Sequence, residues 1–315
     1  MNVNRRPAGR YASILLTLIV LLLMQGCYYY PTREAMLNTL SFRNTIPGHH
    51  LRKKIGIALF ENRTLYTNAA AIDIFTEYFV ENLRERCPKL LFISPGQTDM
   101  AKLLADPPRL ESGRLDNAQL AQVGRALGLN AIIAVALTSI SPSQEERGLL
   151  FFKDMHFFLE VEALVKMFDT ETASILLQKS IRKEVEVDQQ DVTVADREKA
   201  IANYLMEEAL DDISSKMIKL ICSSASDQPW KGYVMSIDKD RVMITSGLDV
   251  GLKVGERLFV YDSNQVIDGT GGHRYFVPGK QTGQLEITGV GENNSEAQIL
   301  SGQVLRPGSL VMLGK

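Results

Sequence analysis

The sequence predicts an α+β protein, a β-α-β-α-β-β-β-α sandwich followed by a small all-β barrel. Two observations carry that prediction. Between Lys53 and Cys222, short β-branched runs alternate with segments whose apolar residues recur every three or four positions, the signatures of buried strands and amphipathic helices. Beyond Pro229 the helical period vanishes, and short strands follow at regular spacing between Gly, Asn and Pro residues. The chain has 315 residues, 45% hydrophobic and 23% charged. That is room for about two domains at ~100 to 200 residues each.

Lys54 to Phe60 (KIGIALF) reads as a buried strand bounded by charge and by Glu61-Asn62-Arg63. Asn68 can cap the helix that follows, in which Ile72, Phe75, Phe79 and Leu83 share one face, and Cys87-Pro88 stops it. Leu90 to Ser94 is a second strand, ended by Pro95-Gly96. Asp116-Asn117-Ala118-Gln119 has capping-box spacing, Leu120, Val123 and Leu127 form the apolar stripe, and Gly128 stands where a helix end takes a left-handed residue.

Ala131 to Ile140 (AIIAVALTSI) is then a fully buried strand. Met155 to Phe168 and Ser174 to Val187 are longer strands, joined by a hairpin turn at Asp169-Thr170-Glu171-Thr172. Ser141 to Asp154 is read as a connection, too short for a membrane-crossing hairpin whose strands take ~9 to 11 residues each. Val194 to Cys222 is a long helix with Ile201, Leu205, Ile213, Met217 and Leu220 on one side and Glu207, Glu208, Asp211, Asp212, Lys216 and Lys219 largely on the other. Ser223 to Pro229 (SSASDQP) is a linker by composition. Six short strands close the chain: Gly232 to Ile237, Arg241 to Thr245, Arg257 to Tyr261, Gln284 to Val290, Glu296 to Ile299 and Leu310 to Leu313.

The N-terminus is of a different kind. Arg5, Arg6 and Arg10, with no acid among them, precede an uninterrupted apolar run from Ala12 to Met24. The run is short for a spanning helix, which needs ~20 apolar residues, and matches the h-region of an export signal behind a basic n-region. Met24-Gln25-Gly26-Cys27 resembles the bacterial lipobox, in which a cysteine is joined to diacylglycerol, the peptide is cut before it, and the new amine is acylated. Gly26 and Cys27 fit that pattern; Met24 and Gln25 depart from the commoner residues. The resemblance implies cleavage between Gly26 and Cys27 and lipidation at Cys27. Loss of residues 1–26 takes the formal net charge from −2 to −5. Tyr28 stands where an Asp would signal inner-membrane retention in enteric lipoproteins, which implies the outer membrane. Tyr28-Tyr29-Tyr30-Pro31 can lie at the membrane interface or serve as a tether packed on the folded body. The expected layout is a signal peptide over 1–26, a lipidated tether over 27–52, an α/β module over 53–222, a linker over 223–229 and the barrel over 230–315.

No motif for catalysis, cofactor or metal emerges. His49, His50, His156 and His273 show no metal-ligand spacing. Gly269-Thr270-Gly271-Gly272 and Gly279-Lys280 fall short of a phosphate loop, because the intervening spacing is wrong and Gln281 replaces Ser/Thr. A net charge of −2 and a pI of about 6.2 give no basis for nucleic-acid binding. With Cys27 acylated, Cys87 and Cys222 remain, either a disulfide in an oxidising compartment or two small buried hydrophobes, both at the ends of amphipathic helices.

The stretch from Gly232 to Leu313 resembles the C-terminal, SH3-like domain of the flagellar assembly protein T family. Gly247-Leu248-Asp249-Val250-Gly251-Leu252-Lys253-Val254-Gly255-Glu256 is the most specific part, with Phe259-Val260-Tyr261, Ala297, Ile299 and Pro307-Gly308 in support. Gly247, Gly251 and Gly255 are expected at positive-φ corners. Residues 263–280 are an extended loop outside that likeness. Lys53 to Ser223 is similar in element order to the curli-secretion channel G family, the penicillin-binding-protein activator lipoproteins and the TolB N-terminal domain, through Ile55 to Thr64 and Gly128 to Ile133. These likenesses imply a non-enzymatic, periplasm-facing outer-membrane lipoprotein that scaffolds an envelope machine, with flagellar basal-body components among the implied partners. An oligomeric curli-type channel and an activator of a peptidoglycan synthase are the alternatives; a homo-oligomer stays open.

Overall fold

The computed structural model describes residues 50–58, 60–66, 69–95, 100–149, 152–191, 203–262, 265–302 and 306–314. Gly26, Cys27 and the tether up to residue 49 lie outside the described residues, as do Asn68 and Ile201. The architecture is the expected one, an α/β sandwich followed by a closed antiparallel barrel.

The first part is built on a mixed sheet of β1 (Lys53–Ile57), β2 (Glu61–Asn62), β3 (Leu90–Ile93), β4 (Ala131–Leu149), β5 (Phe152–Asp169) and β6 (Ile175–Val187). Its order is β3-β1-β4-β5-β6, with β2 pairing on β4. β1 runs parallel to β3 and β4, and β4, β5 and β6 are antiparallel. Helices α1 (Ala69–Arg86) and α3 (Asn203–Ser226) cover one face. Side chains alternate along a strand, so Ile55, Ile57, Ile133, Val135, Val161 and Val165 meet Phe79, Leu83, Ile213 and Met217 in one apolar core. A bulge between Leu137 and Ser139 shifts the register by one residue, which keeps Ile140 on that same face opposite Val161. The helical stripes are as expected: Phe75, Phe79, Leu83, Leu205, Ile213 and Met217 are buried, while Glu207, Glu208, Asp211, Lys216 and Lys219 are exposed.

Among the described residues the second sheet face is covered at one end only. There α2 (Asn117–Ala126) and a 3₁₀ turn (Met100–Leu104) lay Leu120 and Leu104 on Ile132 and Phe168. Asp116 caps α2 by accepting from the Ala118 and Gln119 amides, and Gly128 beyond its end has φ +69°. A side chain at Gly128 would also strike Thr245 of the barrel, whose carbonyl oxygen lies 2.7 Å from an ideal Cβ.

Two readings need correction. Ser141 to Asp154 is not a connection: β4 runs on to Leu149 and β5 starts at Phe152, paired throughout. Its polar residues have low strand propensity, but each is opposed by a residue of β5, and pairing overrides propensity. The helix α3 also continues through Ser223–Ser226, four residues of the stretch read as linker.

The barrel closes in the order Lys280–Val290, Ser295–Gly302, Arg241–Ile244, Gly232–Asp238, Leu310–Leu313 and Arg257–Asp262. Its strands are β7 (Gly232–Asp238), β8 (Arg241–Ile244), β9 (Arg257–Asp262), β12 (Lys280–Val290), β13 (Ser295–Gly302) and β14 (Leu310–Leu313), the six expected. Val234, Val242, Ile244, Leu258, Val260, Leu285, Ile287 and Val311 fill it. Leu51 joins that core, and the Arg52 amide donates to the Val250 carbonyl at 2.9 Å, so the chain is fastened to the barrel just before it enters β1. Of the three corner glycines, Gly251 and Gly255 have positive φ. Gly247 does not, and is there for close approach: a Cβ would lie 2.3 Å from the Gly291 carbonyl oxygen.

Between β9 and β12 the expected loop contains a ribbon, β10 (Val266–Asp268) paired with β11 (Arg274–Phe276) across a 3₁₀ turn at Thr270–Gly272. This is an arm that reaches from the barrel to α2.

Candidate functional site

The arm, the first residues of β1 and the residues at the entry to β7 join the two parts. Phe276 packs with Ala118, Ala121 and Ala173, its amide donates to the Thr172 carbonyl at 3.0 Å, and the Arg125 guanidinium lies 4.3 Å from its ring centroid. Asn117 Nδ2 donates to the Ala173 and Arg274 carbonyls, and Arg274 reaches the Asp116 carboxylate at 3.3 Å.

Three lysines are buried at this junction. Lys231 Nζ lies 2.5 Å from Asp169 Oδ1 and 2.9 Å from Glu171 Oε2, with Lys231 and Asp169 side chains only 3% and 4% exposed. Asp169 Oδ2 accepts from the Thr172 amide and hydroxyl. Lys54 Nζ donates to the Thr245 carbonyl at 2.9 Å and pairs with Asp249 at 2.6 Å. Lys53 Nζ donates to the Ala225 and Ser226 carbonyls, both at 2.9 Å, at the negative end of α3. Beside them the Tyr233 hydroxyl lies 2.8 Å from Thr170 Oγ1, and burial raises the Tyr233 pKa far above its usual value, which keeps it a neutral donor. Each of these cations is withdrawn from water and matched by partners from the other part or from a helix end, the condition under which a buried charge is tolerated.

Next to the junction the uncovered sheet face holds a pocket of about 350 Å³. Its floor is the sheet itself, Ala134 and Ala136 of β4 with Leu164, Lys166 and Phe168 of β5, and Arg63, Arg114, Glu61 and His273 also line it, the last from the arm. Lys166 stands opposite Ala134 on one side and Gln178 on the other. Burial, then the Arg63 and Arg114 charges, lower its pKa.

The residues singled out in the sequence are placed as follows. Gly26 and Cys27 lie outside the described residues. Cys87, just past α1, and Cys222, in the last turns of α3, are brought together with Cα atoms 5.7 Å apart, the separation a disulfide spans. The bond would link residues 135 apart in sequence, a long loop, so its loss is expected to cost up to ~5 kcal/mol. The double variant Cys87→Ser/Cys222→Ser should melt several degrees lower than the oxidised protein, and the oxidised protein should titrate no free thiol on either residue. His50 faces Glu256 at 3.4 Å and His156 faces Glu186 at 2.5 Å, far apart in the chain from His273. Among the described residues no group of three or more His, Cys, Asp or Glu side chains could hold a metal ion, and no helix among them is long and apolar enough to cross a membrane. The junction lysines and the pocket were missed, since Lys53 and Lys54 read as the charged boundary of a strand.

No protein-family model and no curated protein sequence matches the chain. Among solved structures, a hypothetical protein from Chlamydia trachomatis is similar over 55% of this chain and 99% of its own, at 12% identity and a TM-score of 0.33. A lipoprotein from Neisseria meningitidis covers 54% of this chain and 99% of its own at 11% identity and a TM-score of 0.30. The LpoB C-terminal domain from Salmonella enterica covers 49% and 98% at 17% identity and a TM-score of 0.28. Likenesses this distant carry no argument about function. Neither the flagellar nor the curli resemblance is matched by a family model.

Proposed function

We propose that the protein is a periplasm-facing outer-membrane lipoprotein, anchored through acyl chains on Cys27, that works without catalysis as a scaffold for another envelope protein. The observation that supports this reading is the junction: Lys54 and Lys231 bind barrel and α/β part together with buried ion pairs, so surfaces on both are presented in fixed relation. Fixed surfaces reduce the ordering cost of binding a partner. The barrel turn Gly247 to Glu256 presents Leu248 and Val254, 63% and 64% exposed, as apolar contacts.

Within this reading an activator of a peptidoglycan synthase ranks ahead of a flagellar or curli role. The β-α-β-α-β-β-β-α order behind the resemblance to the activator lipoproteins is present in full; the curli family shares that order, and the barrel lies outside the likeness to the activators, so the ranking against a pore rests on the strands that follow. A curli-type pore fits less well, although the reason is no longer length. β4 and β5 pair past the bulge from Ser139 to Leu149 and from Glu162 to Phe152, as far as a membrane strand of ~9–11 residues requires. Yet Ser143, Gln144, Glu145, Glu146 and Arg147 are all exposed there and supply no apolar row for lipid.

Photo-crosslinking residues placed at Leu65, an exposed apolar side chain just past β2, and at Leu248 and Val254 of the full-length protein in cells test the proposal. An adduct with the periplasmic domain of a peptidoglycan synthase supports the activator reading, and an adduct with another envelope protein supports the scaffold alone. Absence of any protein adduct from all three positions overturns both.

A further inference from the structure

The pocket on the uncovered sheet face has no part in the scaffold reading. We propose that it binds a small organic anion, a carboxylate or phosphate carried on a compact apolar body, with Lys166 as the group that meets the charge.

Three observations converge on that chemistry. The first is shape. Alanines at positions 134 and 136 leave depth where larger side chains would fill the face, and Leu164 and Phe168 make the floor apolar. A volume of about 350 Å³ lies at the low end of small-molecule sites, which run ~300 to 1,000 Å³.

The second is charge. Arg63, Arg114 and Lys166 line the pocket as cations, against Glu61 as the only acid among the described residues that line it, in a protein whose net charge is −2. Glu61 is already engaged by Arg63 and by Arg109. The next acid on this face of β5, Glu162, lies beyond Leu164 and does not line the pocket.

The third is that the cations are unequally satisfied. Arg63 is bonded to Glu61, and Arg114 donates to the Gly271 carbonyl of the arm and to Ser112 Oγ. Lys166 meets no hydrogen-bond or ion-pair partner among the described residues, and its neighbours Arg63 and Arg114 repel it. A cation held among cations over an apolar floor is destabilised until an anion arrives; the ligand supplies what the chain withholds. Charge-assisted bonds to Nζ then fix its anionic end while its apolar body covers Ala134 and Ala136.

The test is calorimetric titration of the full-length protein with benzoate, phenyl phosphate, inorganic phosphate and the neutral isostere benzamide. Benzoate or phenyl phosphate is expected to bind with Kd of ~1 mM or tighter, and benzamide at least tenfold more weakly. The comparison of benzoate with phenyl phosphate separates carboxylate from phosphate, and that with inorganic phosphate measures the apolar floor. Lys166→Met, which keeps length and removes charge, should weaken binding about tenfold or more, and Ala136→Leu, which fills the floor, should abolish it. Lys216→Met on the outer face of α3 should leave it unchanged. No binding of either aryl anion at millimolar concentration, equal binding of benzamide, or unaltered binding by both pocket variants overturns the proposal.

Discussion

Replacing Lys231 by Met is expected to destabilise the protein by ~3–5 kcal/mol, because it leaves a buried carboxylate without its cation. Asp169, 4% exposed, would keep only the Thr172 amide and hydroxyl as donors, with Glu171 close by as a second negative charge. The wild-type pair need not itself contribute much, since desolvating two ions offsets most of their attraction. The informative measurement is therefore a cycle. Lys231→Met/Asp169→Asn removes both charges and should recover much of the loss, whereas Lys216→Met, which breaks an exposed i, i+4 pair with Asp212, should cost no more than ~0.5 kcal/mol. The only tryptophan, Trp230, is buried next to Lys231 and reports the transition by fluorescence in denaturant. A single variant as stable as wild type would show that the junction is hydrated and the two parts free to move.

That junction also shows where sequence reading stops. Helix faces and the six barrel strands were legible because each is encoded locally: Phe75, Phe79 and Leu83 repeat with the helical period, and Val242 and Ile244 or Leu258 and Val260 alternate with the strand period. Lys54 and Lys231 carry no such mark. A lysine beside a strand is usually solvated, and its burial here depends on Asp249 and Asp169, residues remote in the chain. The arm was hidden for a related reason. Residues 266–268 and 274–276 are too short to show a period, and Phe276 finds its place against Ala118 and Ala121 only once α2 exists. The pocket follows from both. Ala134, Ala136, Leu164 and Lys166 looked like parts of buried strands; among the described residues α2 covers their face incompletely, and the arm contributes His273 to one wall.

Cys27→Ser is expected to change the state of the whole protein. A serine cannot form the thioether, and lipidation precedes cleavage in the lipobox scheme, so the variant should keep residues 1–26, incorporate no labelled palmitate and stay with the inner membrane through its apolar run. Among the described residues no helix is long and apolar enough to cross a membrane in its place. One acyl chain alone holds a protein only marginally, each buried CH₂ contributing ~0.8 kcal/mol, and several chains are needed for stable attachment. Without residues 1–26 the net charge becomes −5, which disfavours an anionic membrane surface. Tyr28→Asp supplies the complementary arm: it keeps lipidation and mature size, and under the enteric sorting rule moves the protein to the inner membrane. Mass spectrometry of the purified variants and separation of the two membranes read both effects. A Cys27→Ser protein of mature size in the outer-membrane fraction would show that the anchor lies elsewhere in the chain.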